Sequence, residues 1–248
     1  MSSTLSYTHA LAGQPPAVKD KFLADSNRWQ TYINGKPVPI GTDIEIRGRF
    51  GSIKTAVVMN KDGTPCFDKP IVYEADATNV VAWGRDKNGT VRVGVIRQPR
   101  PHADDPERKW QDGHSPVVVG QLPMGYLDQL LGGGFETPEA GAAREVGEET
   151  GATAVVNIER PKCPWHNPNP TFVGSWTDLV FVEVDLEKVE ALKADHNEPI
   201  YSAEYVTVPE LLRRIREGKD EQGAVYRMGT ANSLWFIFFA THPEFFQA

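Results

Sequence analysis

The alternation of apolar and polar residues predicts a first group of short β-strands near the N-terminus. TDIEIRGRF alternates apolar with polar residues, IKTAVVM and PIVYEA continue as short strand-like runs, and turns such as NKDGTP separate them. The pair Asn34–Gly35 favours a tight hairpin. We therefore expect a small antiparallel β unit at residues 27–76. Residues 1–26 form a polar lead-in, either loose or a short helix.

A second group of strands begins near Ala77 and alternates with helical segments. NVVAWG and VRVGVIRQ flank the turn RDKNGT, and SPVVVGQLP, TDLVFVEVD and YSAEYVTV continue the series. Helices are predicted in PELLRRIREGK and at about Thr230 to Thr241, and a weaker one in LEKVEALKA. This order predicts a mixed α/β domain over residues 77–248.

The segment TPEAGAAREVGEETG predicts one further helix with an unusual charge pattern. Thr137 suits the N-cap, Pro138 the first helical position and Gly151 the left-handed C-cap. Three glutamates share one face, where like charges cost roughly 0.2–0.5 kcal/mol per pair: Glu145, Glu148 and Glu149. Two interpretations remain open at this point, a solvated acidic face or a site for a divalent cation that prefers carboxylate oxygens.

Composition and charge exclude several classes of protein. A formal net charge of −7 argues against a broad basic surface for nucleic acid. The longest apolar run, LWFIFFA, has seven residues, whereas a membrane span needs about 20. Cys66 and Cys163 have no CxxC spacing, and the first residues lack a signal-peptide pattern. We therefore expect a cytoplasmic protein with no nucleic-acid or membrane partner.

The glutamate helix resembles the signature of Nudix hydrolases, G-x5-E-x7-R-E-U-x-E-E-x-G-U, in which U is a bulky apolar residue. Glu136, seven intervening residues and then REVGEETG match it in order, and Ala152 replaces the final bulky residue. Leu130 stands where the signature has glycine. However, LPMGYLD resembles the LPAGxxD segment of ADP-ribose pyrophosphatases, which makes Gly125 the signature glycine. QLLGGG then carries an insertion, and its glycines are expected to be flexible padding.

Other segments resemble the same subgroup of the family. VGVIRQPRP is similar to the VRQYRP segment of these enzymes, so Arg97 and Arg100 would contact phosphate or the terminal ribose; the alternative is surface arginines at a strand end. Pro168 lies sixteen residues beyond Ala152, where the subgroup has a proline. ADHNEPI resembles an acidic loop that supplies a general base, with Glu198 as the matching carboxylate.

The resemblance implies a fold, a metal site and an assembly. The fold is a Nudix-type α/β/α sandwich with a mixed sheet, plus an N-terminal antiparallel β unit that would form a homodimer. Arg144 would orient the glutamates through an ion pair with Glu136, and the general base would be Glu148 or Glu198. The implied ligands of Mg²⁺, with Mn²⁺ as the alternative, are Glu145, Glu148, Glu149 and the backbone carbonyl of Met124.

The resemblance also implies a reaction, the Mg²⁺-dependent hydrolysis of a nucleoside diphosphate linked to another moiety. ADP-ribose, cleaved to AMP and ribose 5-phosphate, is the first expectation. NADH is an alternative because PWHNPNP is similar to a segment of NADH pyrophosphatases, and Trp165 within it would either stack on the substrate or pack its loop. Nucleotide sugars such as GDP-mannose, and a non-catalytic nucleotide-sensing module, are the remaining alternatives.

Overall fold

The computed structural model describes most of the chain, in eight stretches: residues 7–24, 32–38, 42–48, 51–100, 117–167, 173–192, 199–226 and 229–247. By its internal contacts the chain divides into two compact units. The first unit is Met1–Ala75 together with Asn167–Ser175, and the second is Asp76–His166 together with Trp176–Ala248. The domain boundaries expected from the sequence stay predictions.

The first unit contains two short helices and two antiparallel sheets. Its elements are α1 (Tyr7–Ala12), α2 (Pro16–Ala24), β1 (Tyr32–Ile33), β2 (Lys36–Pro37), β3 (Glu45–Gly48), β4 (Gly51–Met59) and β5 (Pro65–Glu74). β1 pairs with β2, and β3, β4 and β5 form a three-stranded sheet. Asn34 and Gly35 both adopt positive φ, at 50° and 73°, as the predicted hairpin turn requires. The expected antiparallel unit is confirmed.

The second unit is built on one eight-stranded sheet. Its elements are β6 (Ala77–Arg85), β7 (Val91–Arg100), β8 (Val117–Gln121), β9 (Met124–Tyr126), α3 (Pro138–Thr150), β10 (Val155–Glu159), β11 (Trp165–His166), β12 (Thr177–Val184), β13 (Ser202–Thr207), α4 (Val208–Glu217) and α5 (Gly229–Thr241). The strand order is β10-β12-β6-β7-β13, with β11 on β12, β8 on β7 and β9 on β6. β6 and β12 run parallel and the other pairs are antiparallel, so the sheet is mixed.

Helices cover both faces of this sheet. Alternate residues of β6 and β12 point to opposite sides. On one side Val81 and Phe181 pack with Phe238 of α5, and on the other Val80 and Val182 pack in a separate cluster with α3. The sandwich of helix, mixed sheet and helix expected from the sequence is confirmed. No helix in the described stretches is long and apolar enough to cross a membrane.

The weak helix predicted in LEKVEALKA is wrong. Within its described part, residues 186–192, only one 3-10 turn forms, Leu186–Lys188, and the Asp185 side chain caps it by accepting the Glu187 N–H. Val189 then pairs with Ala152 in an isolated β-bridge, and the Glu190 N–H donates to the Gly151 carbonyl. Pairing with the end of α3 therefore overrides the local helical propensity.

Candidate active site

The ends of α3 form where the sequence predicts them. The Thr137 hydroxyl accepts the Ala140 N–H at 3.2 Å, and Pro138 occupies the first turn. Gly151 closes the helix with φ 73°, and its N–H donates to the Gly147 carbonyl at 3.2 Å. A Cβ atom at position 151 would lie 2.2 Å from the Glu190 carbonyl oxygen. Both backbone conformation and space therefore require glycine here.

Two glutamates of α3 are buried against the backbone of β9. A Cβ atom on Gly125 would lie 1.7 Å from Oε1 of Glu145, so only glycine leaves room for this carboxylate. Glu149 accepts the Met124 N–H at 2.8 Å through Oε2. Both side chains are almost fully buried. Thus Gly125 and Met124, predicted from the LPMGYLD segment, lie directly beside the glutamates; the Met124 carbonyl as a metal ligand stays a prediction.

Arg144 lies at the centre of the carboxylates. Its Nη1 atom donates to Oε1 of Glu145 at 2.6 Å and to Oε2 of Glu148 at 3.1 Å. Its Nη2 atom donates to Oε1 of Glu136 at 2.6 Å and to the Tyr126 carbonyl at 3.0 Å. The predicted ion pair with Glu136 is confirmed. Arg144 therefore ties the loop before α3 to the acidic face of the helix.

The same loop adds a further carboxylate to Arg144. Asp128 lies 3.4 Å from Nε of Arg144, and its backbone N–H donates to Glu136 at 2.9 Å. Burial alone would lower the pKa of Arg144, but its bonds to Glu136 and Glu145 raise it above the ordinary value. Burial likewise raises the pKa of Glu136, but the hydrogen bonds from Arg144 and the Asp128 N–H, together with the charge of Arg144, lower it below the ordinary value. This ion pair is therefore charged near neutral pH.

We call the group formed by Arg144, Asp128, Glu136, Glu145 and Glu148 the α3 cluster. It sets one guanidinium against four carboxylates, with Glu149 beside it as a fifth. When its carboxylates are ionised, the group carries an excess of negative charge. A divalent cation would offset part of that excess.

The donor set fits Mg²⁺ or Mn²⁺. Carboxylate oxygens are the ligands that these hard cations prefer, and Gly125 makes room for the innermost one, on Glu145. Within the described stretches, no three acidic, histidine or cysteine side chains converge as a ready-made metal cluster. The Nη1 atom of Arg144 lies between Glu145 and Glu148. A cation held by Glu145, Glu148 and Glu149 would therefore share the first two carboxylates with Arg144.

The insertion before α3 is a closed hairpin. Gln129 and Phe135 form a β-bridge, and the Leu130 N–H donates to the Gly134 carbonyl at 3.0 Å. Gly133 and Gly134 adopt φ of 86° and 83°, a conformation that favours glycine. Two of the three glycines therefore form a defined turn, and the expected flexibility of this segment stays a prediction.

Arg97 lies in a second group of charges on the other side of the sheet. Its guanidinium is buried, and it bonds to Asp220 at 2.6 Å, to the Ser202 hydroxyl at 3.1 Å and to Glu204. Arg214 of α4 joins the group through the same Glu204 at 2.6 Å. Arg214 also donates to Glu210 at 2.5 Å. We call the group Arg97, Arg214, Glu204, Glu210 and Asp220 the α4 cluster.

Arg100 has a different environment from Arg97. It is half-buried at the end of β7, and its Nε atom donates to Oε1 of Gln121 at 3.1 Å. Gln121 in turn donates to Gln98 at 2.7 Å. Sequence reasoning missed both glutamines, because a neutral side chain within a strand carries no motif or charge signal. It also missed Asp128 as a partner of Arg144, although LPMGYLD contains that residue.

Three remaining predictions have different outcomes. Pro168 and Glu198 lie outside the described residues, so their roles stay predictions. Trp165 lies in β11, and 62% of its surface is exposed. A packing role for this ring within its loop is therefore not supported, whereas a stacking role stays a prediction.

Comparisons with known proteins give the following similarities. A sequence profile described as the NUDIX domain matches residues 76–227. No curated protein matches the chain in sequence. A crystal structure described as an ADP compounds hydrolase aligns with a TM-score of 0.50 and 16% identity, covering 81% of this chain and 93% of that chain. The NUDIX domain of Shewanella oneidensis NrtR, complexed with ADP ribose, aligns with a TM-score of 0.37 and 13% identity, covering 56% and 76%.

The profile match spans more than half of the chain and contains all of α3 together with strands β6 to β13. Every residue of the α3 cluster lies within it. The structure aligned at a TM-score of 0.50 shows the same fold. The chain therefore belongs to the NUDIX family.

Proposed function

We propose that this chain is a Mg²⁺-dependent pyrophosphohydrolase that cleaves ADP-ribose to AMP and ribose 5-phosphate. The observation that carries the proposal is the excess of carboxylates around Arg144, held against the glycine of β9. A nucleotide diphosphate is itself anionic and the chain has a net charge of −7, so binding needs local positive charge, from a bound cation or from arginine. The α3 cluster is where such cations would be held.

Different residues of the chain have different roles in the proposed reaction. A bound divalent cation neutralises charge on the diphosphate and lowers the pKa of water. Glu145 and Glu149 are fixed by burial against β9, so they set the position of the ligands. The Glu148 side chain is 61% exposed, so it can turn towards substrate. Arg144 remains tied to Glu136 and holds the helix face in place.

Hydrolysis adds water to one phosphorus atom and breaks its bond to the bridging oxygen of the diphosphate. The proton of the attacking water passes to a general base, which must lie within about 2.6–3.2 Å of that water or one further water away. Glu148 is the candidate within the described residues, and Glu198, in the segment ADHNEPI, is the alternative. Replacing each by glutamine separately would distinguish them. Loss of the general base should remove the fall in rate at low pH that protonation of that base causes.

The choice of ADP-ribose rests on the segments LPMGYLD and VGVIRQPRP, which resemble ADP-ribose pyrophosphatases. A structure described as an ADP compounds hydrolase has the same fold, which is compatible with this choice. NADH and nucleotide sugars such as GDP-mannose contain the same diphosphate link. The metal-binding face does not distinguish them, so the assay must include all three classes.

The test is an end-point assay with Mg²⁺ against ADP-ribose, NADH and GDP-mannose, with products separated by chromatography. We expect AMP and ribose 5-phosphate from ADP-ribose as the dominant products. Glu149→Gln should lower turnover by about 10²–10³, while Glu139→Gln, on the same helix but paired with Arg160, should retain it. Full activity of Glu149→Gln would contradict the metal-site assignment.

Two other results would change the proposed substrate or the proposed function. Preferred cleavage of NADH or GDP-mannose would keep the mechanism and replace the substrate. Tight binding of a nucleotide with no turnover, with either Mg²⁺ or Mn²⁺, would favour a nucleotide-sensing module.

We further propose that the chain is a homodimer through its first unit, because that unit resembles the dimerising segment of the ADP-ribose subgroup. One chain has a mass of 27.5 kDa. Light scattering should give twice that mass, and a monomer would contradict the proposal.

A further inference from the structure

Three polar side chains of β7 and β8 form a hydrogen-bonded series. Nε of Arg100 donates to Oε1 of Gln121 at 3.1 Å, and Nε2 of Gln121 donates to Oε1 of Gln98 at 2.7 Å. Both glutamines are nearly fully buried, at 3% and 2% exposure. Burying an amide costs free energy unless it is hydrogen-bonded, so this arrangement fixes both side chains.

The series lies on the α3 side of the sheet. A Cβ atom on Gly94 would contact Ala82 and Tyr205, and Tyr205 bonds to Thr150 of α3. Every second residue of a strand shares a side, which places Gln98 and Arg100 on the side of Gly94. Gln121 shares that side because it is the cross-strand partner of Ile96.

Arg97 points the opposite way, although it is only three residues from Arg100. Its cross-strand partner is Gly120, which abuts Tyr226 on the α4 side. Its guanidinium nitrogens already bond to Asp220, Ser202 and Glu204. The two arginines that the sequence treats alike therefore face different sides of the sheet.

The series is close in the chain to the α3 cluster. Gln121 is followed by Leu122, Pro123 and Met124, whose N–H donates to Glu149. Three residue steps span at most about 11 Å. Gln121 therefore fixes Arg100 beside the face of the sheet on which the glutamates lie.

The chemistry of the amide sets the orientation of Arg100. An amide side chain has one donor end and one acceptor end. Because the donor end of Gln121 is engaged by Gln98, its oxygen is presented to Nε of Arg100. Within the described residues Nη1 and Nη2 of Arg100 make no hydrogen bond. A guanidinium fixed at Nε presents its two terminal nitrogens as a fork, which suits phosphate.

We propose that Gln121 is a positioning residue that orients Arg100 towards a phosphate group of the substrate diphosphate. The proposal rests on the proposed function for the identity of the substrate, and it assigns Arg97 a structural role. Gln121 acts only through Arg100, so its effect depends on the presence of that arginine.

The experiment is a double-mutant cycle with Gln121→Leu, Arg100→Leu and the double variant. Binding of α,β-methylene-ADP, which carries a non-cleavable diphosphate, is measured by calorimetry with Mg²⁺. Loss of a hydrogen bond to a charged group should weaken binding about tenfold in each single variant. The double variant should be no weaker than Arg100→Leu, because the two residues act in series.

A matched control and a second measurement support the cycle. Gln222→Leu makes the same replacement at an exposed position and should bind like the wild type. In the wild-type protein, the Nε–H NMR signal of Arg100, assigned by its loss in Arg100→Lys, should shift on ligand addition. The Arg97 signal should not shift. This measurement needs no folded Gln121 variant.

Multiplicative losses in the double variant, or no loss in Arg100→Leu, would overturn the proposal. A shift of the Arg97 signal in place of the Arg100 signal would do the same. Binding of the diphosphate is measured without turnover. An absence of ADP-ribose hydrolysis would therefore refute the proposed function, whereas the binding measurements would still test the role of Gln121. In an active enzyme, KM for ADP-ribose should rise about tenfold in Gln121→Leu, with kcat changed less than KM.

Discussion

The two charged clusters of the second unit differ in the balance of their charges. In the α4 cluster, two arginines are hydrogen-bonded to three carboxylates. In the α3 cluster, one arginine contacts four carboxylates. A nearly balanced group satisfies its own donors and acceptors and holds strands together. An unbalanced group offers negative charge to an external cation, so charge stoichiometry supports a structural role for the α4 cluster and the proposed metal-binding role for the α3 cluster.

Burial follows the same division. Arg97 and Arg214 are both buried, and the Tyr226 hydroxyl accepts a further bond from Arg214 at 3.0 Å. In the α3 cluster the Glu148 side chain is exposed, so it is accessible to the proposed metal and substrate. The comparison therefore predicts that mutations in the α4 cluster change stability, and that mutations in the α3 cluster change activity.

The largest effect is expected for Arg97→Ala. The replacement leaves Asp220 buried without its main partner, and breaking a buried ion pair costs about 3–5 kcal/mol of unfolding free energy. Urea denaturation followed by circular dichroism measures it. Arg216→Ala, which removes an exposed arginine of α4, should change stability little. Equal losses in the two variants would remove the distinction between buried and exposed pairs.

Glu149→Gln should have the opposite effect to Arg97→Ala, because it should lower activity without lowering stability. Glutamine retains an oxygen for the Met124 N–H but loses the charge that a cation needs. We expect kcat to fall by about 10²–10³, in the range for losing one electrostatic contact to the transition state. Unfolding free energy without metal should stay unchanged or rise, because one like-charge repulsion disappears. A stability loss comparable to that of Arg97→Ala would show that Glu149 is structural.

Gly125→Ala tests whether the position of the Glu145 carboxylate matters for catalysis. The added methyl group would overlap the carboxylate, so either the side chain or the helix must shift. Displacing a metal ligand in this way should lower kcat/KM at least about tenfold, equivalent to roughly 1.4 kcal/mol. Gly132→Ala, which has open space and lies in the insertion turn, is the matched control. Unchanged kinetics in Gly125→Ala would show that the position of the Glu145 side chain does not affect catalysis.

The smallest effect concerns acid stability of the α4 cluster. Hydrogen bonds from Arg213 and Arg214 lower the pKa of Glu210 from 4.5 to about 2. A lowered folded-state pKa means that this stabilisation is present above pH 4.5 and is lost as pH falls towards 2. Glu210→Gln should therefore show a shallower loss of unfolding free energy between pH 5 and pH 3 than wild type. An identical pH dependence would contradict the assignment of this ion pair.

Local features of the fold could be predicted from the sequence. The ends of α3 follow from Thr137, Pro138 and Gly151, because capping depends on neighbouring residues alone. The partner of Arg144 also followed, since the spacing from Glu136 and Glu148 is set by the helix and its preceding loop. Residues close in sequence thus gave the core of the candidate site.

Features that depend on register could not be predicted. Arg97 and Arg100 have the same chemistry and lie on one strand, and only the pairing of β7 with β8 and β13 decides which side each one faces. Gln121 gives no signal until its neighbour across the sheet is known. Val189 follows a helix-like pattern, yet it pairs with Ala152. Long-range pairing decides each of these cases.

The most direct test of the account is a calorimetric titration with Mn²⁺ of the wild-type protein, Glu149→Gln and Glu139→Gln. The account predicts saturable binding to the wild type, affinity at least about tenfold weaker in Glu149→Gln, and wild-type affinity in Glu139→Gln. Equal affinity in all three proteins, or no binding to any of them, would contradict the claim that the unbalanced carboxylates of α3 form the metal site.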